Sequence, residues 1–404
     1  MKYIVLIGDG MTDYPLPDHE GKTPLQLART PNMDKIAAAG VTGFAKTVPN
    51  GFPPGSDVAN LSVFGYDPAE YYTGRSPLEA VSMGVPLGDN DTAFRCNLVT
   101  LRLAGADVIM DDYSAGHIST EDARELILHV NEKLGNESIR FFPGVSYRHL
   151  MVWKDRDFSG LSLVPPHDIT GRGIKEHLPK GGAGGEDIHE LLTGSQMLLK
   201  VHPRNKKKEA DGGKPANSIW LWGQGKRPAM PTFSERFGLE GSVISAVDLL
   251  KGIGVCAGFN SINVPGATGY LDTNYQGKVD AALKALREKD IVFLHVEAPD
   301  EAGHQGKFDL KIQALEEFDE RVVGKVLEGM KEFVDYRILL VTDHPTPLSM
   351  KTHAEDPVPF AIYPAIGEKD DVGAFDERIL KHGKHAFKEG FRLIDFFISG
   401  NALP

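Results

Sequence analysis

Cysteine is almost absent from this chain: Cys96 and Cys256 are the two in 404 residues. They are too few for a disulfide framework and too far apart in sequence for a CxxC metal site. A reducing, cytoplasmic setting is therefore expected. Long apolar runs are missing as well. The opening MKYIVLIGDGM breaks at Gly8, short of a secretory core and far short of the roughly 18 residues needed to cross a membrane. It reads as a buried first strand, and no membrane partner is expected. Positive charge is in deficit, with 44 Lys and Arg against 56 Asp and Glu for a net charge of -12. That balance argues against a general nucleic-acid binder while leaving room for local basic pockets. No internal repeat is visible.

What is present is the composition of a soluble globular protein, 41% hydrophobic and 25% charged, with length for two or three domains. Glycine is in excess at 44 residues, above the usual ~7%. Several glycines stand beside acids and histidines, which marks those junctions for inspection.

Short β-branched runs at Tyr3–Ile7, Ile291–Val296 and Ile338–Val341 each end in Gly, Asp or His. Amphipathic segments such as Asn32–Ala39, Lys278–Glu288 and Lys311–Met330 lie between them. Continuous apolar strands alternating with helices predict a parallel-rich α/β sheet sandwiched by helices. The middle differs. From Asp89 the alternating FRCNLVTLRL, a turn and DVIMDDY predict an antiparallel hairpin exposed on one face, and FFPGVSYRHLMVW and NSIWLWG add further strands. The lysines of NKKKEADGGKP read as a solvated turn. The expected organisation is a discontinuous domain, 1–88 with 229–404, around an inserted α+β domain, 89–228. Cys96 reads as a small buried hydrophobe, and the tryptophans of IWLWGQG as packing residues.

Open parallel sheets place ligands beyond the carboxyl ends of their strands, and there the chemistry collects. The first run ends in Gly8-Asp9-Gly10. The run at Ile291 leads into Asp300 and His304, whose i, i+4 spacing puts both on one side of a helical turn. The run at Ile338 leads into Asp343 and His344, with His353 following in KTHAEDP. Mixed carboxylate and imidazole donors suit Mn²⁺, Zn²⁺ or Fe²⁺ better than Mg²⁺. In NGFPPGSDVANLSVFGYDP, Ser56 stands at or near a helix N-cap, where an anion is favoured and a serine beside divalent cations is placed to attack phosphorus.

These segments resemble the alkaline phosphatase superfamily, and within it the short archaeal and bacterial form of the cofactor-independent phosphoglycerate mutases. The resemblance spans the chain, carried in order by IGDGMTD, PPGSDVANLSVFGYDP, SYRHL, PPHDITG, NSIWLWGQGKRP, PGATGYLDTNY, HVEAPDEAGH and TDH. It implies two metal ions bridged by the serine, Mn²⁺ being favoured over Zn²⁺, Co²⁺, Fe²⁺ or Mg²⁺, with no 2,3-bisphosphoglycerate required. By matching position, Asp300, His304 and His353 would hold one ion, and Asp9, Asp343, His344 and Ser56 the other. It further implies a glycolytic isomerase that moves the phosphoryl group of a small phosphorylated substrate, 3-phosphoglycerate, through phosphoserine to the 2-position. The inserted domain would grip the glycerate part and exclude water. Candidates for that grip are Arg95, Asn97, His117, Arg148, His149, His167, Asp168 and Lys226, with Arg204 a further possibility. A homoserine kinase-like phosphotransferase or a metal-dependent phosphatase could use the same core, since the core handles only the phosphoryl group.

Overall fold

The computed structural model describes residues 1–105, 107–366, 369 and 371–400. The strands in chain order are β1 (Lys2–Gly8), β2 (Val41–Ala45), β3 (Thr92–Ala104), β4 (Asp107–Asp112), β5 (Ile139–Phe142), β6 (Arg148–Trp153), β7 (Ser218–Gly225), β8 (Gly241–Ile244), β9 (Asn260–Ser261), β10 (Ile291–Val296), β11 (Tyr336–Val341), β12 (Val358–Tyr363) and β13 (His385–Phe387). Contacts divide the chain into two units, Met1–Tyr72 with Ala229–Pro404, and Thr73–Pro228. The smaller unit takes in residues 73–88, ahead of the change of pattern at Asp89. The cause is local. The helix Arg75–Ser82 contributes Ala80 to a cluster with Ala93, Leu150 and Val152, and the Ser76 hydroxyl donates to the Gly223 carbonyl.

The larger unit is mixed α/β, as its alternation of apolar strands and helices predicts. Its sheet runs β13-β2-β12-β11-β1-β10-β8-β9. β1 pairs in parallel with β10 on one side and β11 on the other, and β10 with β8, whereas β12 is antiparallel to β11 and β2. Both faces are covered, which is why the strands read as unbroken apolar runs. Along β10, Val292, Leu294 and Val296 join one core cluster, together with Met33 and Ile36 of the helix Pro31–Ala39 and Val279 and Leu286 of the helix Tyr275–Glu288. Phe293 points the other way and stacks on Phe64 with centroids 4.1 Å apart. Truncating such a buried ring costs about 3–5 kcal/mol.

The stretch Lys311–Met330 is not one continuous α-helix. Helices Phe308–Phe318 and Gly324–Gly329 are joined by a π turn, Asp319–Val323. The turn delivers Asp319 to the start of the helix Pro31–Ala39, where its oxygens accept from the Met33 backbone (2.7 Å) and the Asn32 side-chain amide (2.8 Å). A carboxylate there meets backbone donors that the helix leaves unpaired.

In the smaller unit β4-β3-β6-β5 form an antiparallel sheet, with β7 also paired to β3. Two expectations are corrected. β3 is not exposed on one face: Thr92–Leu101 are buried throughout. Phe94, Cys96 and Leu98 pack with Leu126, Ile127 and Ile188, while Val99 and Leu101 pack with Trp220 and Trp222 on a second cluster. Polar residues alternating along this strand therefore point into a covered face. The lysine run is not a turn but lies on a helix, Pro203–Ala210, with Lys206, Lys207 and Lys208 exposed. The chain turns only beyond that helix, where Gly212 takes φ +74°. No helix among the described residues is long and apolar enough to cross a membrane.

Candidate metal centre

Three neighbouring parallel strands of the larger unit deliver the centre. Their register aligns Gly8 with Val296 and Ile7 with Val341, so Asp9, the segment 295–304 and Asp343-His344 leave the sheet side by side. Close approach of the loops demands glycine at Gly10. It has φ +59°, and a Cβ there would lie 2.5 Å from Thr346 Oγ1 and 2.7 Å from Asp300 Oδ1.

Asp300, His304 and His353 present ligand atoms within 4.8 Å of one another. Asp300 and His304 sit one turn apart on the helix Ala298–Gln305, with Oδ2 and Nε2 3.1 Å apart. The His353 Nε2 is 3.0 Å from that of His304 and 3.5 Å from Asp300 Oδ1. His304 Nδ1 lies 3.0 Å from the Lys351 carbonyl. An oxygen acceptor there places the proton of the neutral ring on Nδ1, so that a cation displacing the second proton finds the Nε2 lone pair at the shared point. Burial works against charge on both partners, but the Asp300–His304 interaction wins: the His304 pKa is pushed up to about 9 and that of Asp300 falls well below the usual carboxylate range.

A second group joins Asp9, Asp300 and His344, all fully buried and again within 4.8 Å. Asp300 thus lies within reach of both groups, which spacing in the sequence does not reveal. The His344 Nε2 is 3.5 Å from Asp9 Oδ1, 3.3 Å from Asp343 Oδ2 and 3.1 Å from Ser56 Oγ. Asp343 is fixed by donation from the Gly10 N–H (3.1 Å) and from Asn60 Nδ2 (2.8 Å). Asp9 Oδ1 is buried and accepts no hydrogen bond. Burial first, then the charges of Asp343, Asp300 and Glu297, raise the Asp9 pKa well above the carboxylate range. Crowded buried carboxylates, an orphaned oxygen and imidazole nitrogens facing common points are the donor chemistry that divalent cations satisfy. The residues fit two such ions.

Ser56 is not the cap of its helix. It is the first residue of Ser56–Val63, and Gly55 is the N-cap. Its hydroxyl is therefore free of a capping role and turns toward His344. Asn60, one turn further on, also donates to the Ser56 carbonyl at 2.9 Å.

Residue-type reasoning missed Asn60, Thr346, His295 and Lys311. The Thr346 hydroxyl donates to Asp300 Oδ1 and lies 3.3 Å from His344 Nδ1, linking the two groups. His295 Nε2 is 2.8 Å from Asp9 Oδ2, and with Glu297 it completes a third set of clustered donor atoms around Asp9. Lys311, fully buried, donates to Asp13 Oδ2 and the Thr346 carbonyl, each at 2.8 Å, and to the Thr12 carbonyl at 3.3 Å. Asn60, four residues after Ser56, carried the one local signal.

Within the smaller unit, five of the substrate candidates fall along one aromatic path. Arg95 lies over Trp222 (5.4 Å), whose indole N–H donates to Asn97 Oδ1 (3.1 Å). His167 is 5.4 Å from the Trp222 ring and 6.1 Å from Tyr113, which packs on Tyr147, the neighbour of both His117 and Arg148. Arg95 is buried against Glu79, which also accepts from Arg75, and its Nε has no hydrogen-bond partner. His149 is buried, and its Nδ1 accepts from the Gly144 N–H at 3.0 Å; burial, with Arg95 second, pushes its pKa down to about 3. Asp168 is placed beside His167 at 3.6 Å. Lys226 and Arg204 stand off this path, pairing with Asp157 (3.8 Å) and with Asp122 and Glu125 respectively.

A family model described as 2,3-bisphosphoglycerate-independent phosphoglycerate mutase matches residues 37–205. A probable 2,3-bisphosphoglycerate-independent phosphoglycerate mutase of Geobacter sulfurreducens is 56% identical over 399 residues, 98% of this chain and 100% of that protein. A phosphoglycerate mutase of the same description from Methanosarcina barkeri is 54% identical over 400 residues, 98% of this chain and 99% of its own. Among solved structures, the PH0037 protein of Pyrococcus horikoshii superposes with a TM-score of 0.83 at 29% identity, covering 100% of this chain and 98% of its own. The cofactor-independent phosphoglycerate mutase of Thermoplasma acidophilum gives 0.65 at 26%, covering 98% and 99%. The chain belongs to the 2,3-bisphosphoglycerate-independent phosphoglycerate mutase family.

Proposed function

We propose that this chain is a metal-dependent isomerase that interconverts 3-phosphoglycerate and 2-phosphoglycerate, a step of glycolysis and gluconeogenesis, with Ser56 as the phosphoryl carrier. The observation that carries the reading is the hydroxyl of Ser56, 3.1 Å from His344 Nε2 and beside two sets of clustered carboxylate and imidazole donors. Asp300, His304 and His353 are proposed to hold one ion, and Asp9, Asp343, His344 and Ser56 the other. When bound, two divalent ions supply charge neutralisation for the phosphoryl group and a lowered pKa for the serine hydroxyl. Mn²⁺ is the ion proposed, on the family resemblance; the mixed oxygen and nitrogen donor set suits Zn²⁺ or Fe²⁺ as well.

The chain's own part is positioning. Ser56 Oγ gives up its proton and attacks phosphorus in line; its bond to phosphorus forms as the bond from phosphorus to the substrate 3-oxygen breaks, and that oxygen takes up a proton, giving phosphoserine and glycerate. The 2-hydroxyl of glycerate then attacks the phosphoserine, loses its proton and releases Oγ. Because Ser56 is itself the donor in the second half, no bisphosphoglycerate is required. The N-terminal position of Ser56 on its helix turns backbone N–H groups toward the anion. Arg95, Arg148, Asn97, His117 and His167 are the proposed contacts for carboxylate and hydroxyl groups, which call for cationic and hydrogen-bonding partners. A small soluble substrate and the scarcity of cysteine suit a cytoplasmic enzyme.

Three assays on metal-free protein reconstituted with Mn²⁺, Co²⁺, Zn²⁺, Fe²⁺ or Mg²⁺ test this: 3-phosphoglycerate turnover, ATP-dependent phosphorylation of homoserine, and hydrolysis of a generic phosphate ester. Mutase turnover that disappears on chelation and in Ser56→Ala, with phosphoserine trapped in the parent and absent from the variant, is expected. Phosphohomoserine formation without mutase turnover, or an active Ser56→Ala variant, would overturn the reading.

A further inference from the structure

Of the third donor group, Asp9 with His295 and Glu297, the last two are used by none of the chemistry above. We propose that His295 is a positioning residue rather than a metal ligand: its Nε2–H donates to Asp9 Oδ2 and so turns the other carboxylate oxygen, Oδ1, toward the metal centre. This rests on the reading of Asp9 as a ligand.

Ring geometry decides between the two roles. A histidine ligand must offer a lone pair, and which nitrogen carries the proton is set by what faces the other one. At His304 the Nδ1 faces the Lys351 carbonyl at 3.0 Å, which can only accept, so the lone pair of the neutral ring is on Nε2. At His344 the Nδ1 faces the Thr346 hydroxyl at 3.3 Å, whose proton is committed to Asp300, so again the lone pair is on Nε2. His295 is the reverse. Its Nδ1 is 3.0 Å from Ser245 Oγ, and that oxygen already accepts from the Val247 N–H at 2.9 Å. Among the described residues the Ser245 hydroxyl has no other acceptor, so its proton goes to His295 Nδ1, and the ring proton sits on Nε2, 2.8 Å from Asp9 Oδ2. With both ring nitrogens engaged and the residue fully buried, no lone pair faces Glu297 or Asp9.

The same corner already contains a cation. Lys278 is fully buried on the helix Tyr275–Glu288, and its Nζ donates to the His295 carbonyl at 3.2 Å while its charge acts on Glu297. Asp9 is left with one oxygen held by an N–H and one, Oδ1, accepting nothing. Ser245, His295 and Asp9 thus form a chain in which the serine sets the tautomer, and the tautomer sets the carboxylate.

The test is Mn²⁺ binding to metal-free protein, followed by calorimetry and by metal content after gel filtration, in the parent, His295→Gln, His295→Leu and Ser245→Ala. Glutamine keeps an N–H donor where Nε2 stood and leucine does not. The parent should bind two ions per chain. His295→Leu should weaken one of them about 10–100-fold at unchanged stoichiometry, His295→Gln should restore most of that loss, and Ser245→Ala should fall between. Thermal melts of the metal-free variants monitor folding; if the leucine variant does not fold, Ser245→Ala and His295→Gln carry the comparison. Three ions in the parent falling to two in His295→Leu would make His295 a ligand and overturn the proposal. Equal affinity in the parent and His295→Leu, or no advantage of glutamine over leucine, would overturn it as well. An Asp9→Asn variant with undiminished Mn²⁺ affinity would instead remove the reading beneath it.

Discussion

Replacing Lys311 with methionine tests whether a buried cation ties the two principal ligand loops together. Lys311 stands on the helix Phe308–Phe318 with no exposed surface, and its three N–H donors meet three acceptors: Asp13 Oδ2, the Thr346 carbonyl and the Thr12 carbonyl. Thr12 and Asp13 follow Asp9, and Thr346 follows His344, so one ammonium fastens the loop after β1 to the loop after β11. Burial pushes the lysine pKa down, with Asp13 pulling against it. Methionine preserves the stem and removes the charge, leaving the Asp13 carboxylate buried with backbone donors alone, those of Leu348 (3.1 Å) and Tyr14 (2.8 Å). Removing one partner of a buried pair costs about 3–5 kcal/mol, and these remaining donors place the expectation near the lower end. Urea unfolding of metal-free protein gives the stability without a contribution from bound metal. A double variant, Lys311→Met with Asp13→Leu, should recover about 1–2 kcal/mol of the single loss or more, since coupling between contacting groups runs to roughly 0.5–3 kcal/mol. A single-variant cost below about 1 kcal/mol, or strict additivity in the cycle, would refute the argument.

The same geometry bears on two further residues. Thr346→Val keeps the shape but removes the hydroxyl joining Asp300 to His344; Mn²⁺ affinity measured by calorimetry should fall about 10–100-fold, and an unchanged titration would show the hydroxyl to be incidental. Glu377, whose oxygens accept from the Thr23 hydroxyl (2.6 Å) and the Asp13 N–H (3.1 Å), has its pKa raised by burial from 4.5 to about 7. The folded state holds that proton more tightly than the unfolded chain. Its stabilisation is thus complete below pH 4.5 and lost as pH rises through about 7. At about 1.36 kcal/mol per pH unit this is at most about 3 kcal/mol. Glu377→Gln should gain stability over the parent at about pH 8 relative to about pH 5 in urea titrations; parallel curves would count against it.

Much of the site was legible in the sequence because its elements are local. An Asp and a His four residues apart fall on one helical face wherever that helix lies, and a strand that ends in Gly-Asp-Gly announces a loop that must turn sharply. The reading went wrong where a property belongs to the neighbours. β3 alternates polar and apolar residues as an exposed strand does, yet Arg95 and Asn97 point into a face closed by Trp222. The lysine run looked like a turn because nothing in its composition favours burial, and an exposed helix needs none.

The sequence by itself determined the chemical inventory: parallel strands, carboxylates and imidazoles at their ends, and a serine at the start of a helix. Tertiary structure decided which of these atoms meet. Asp9, Asp300 and His344 converge only because β1 lies in parallel register between β10 and β11, a pairing between segments about 290 to 340 positions apart that no local rule encodes. It also decided which histidine offers a lone pair and which a proton. That depends on a carbonyl or a hydroxyl brought to the far side of the ring from elsewhere in the chain, Lys351 for His304 and Ser245 for His295.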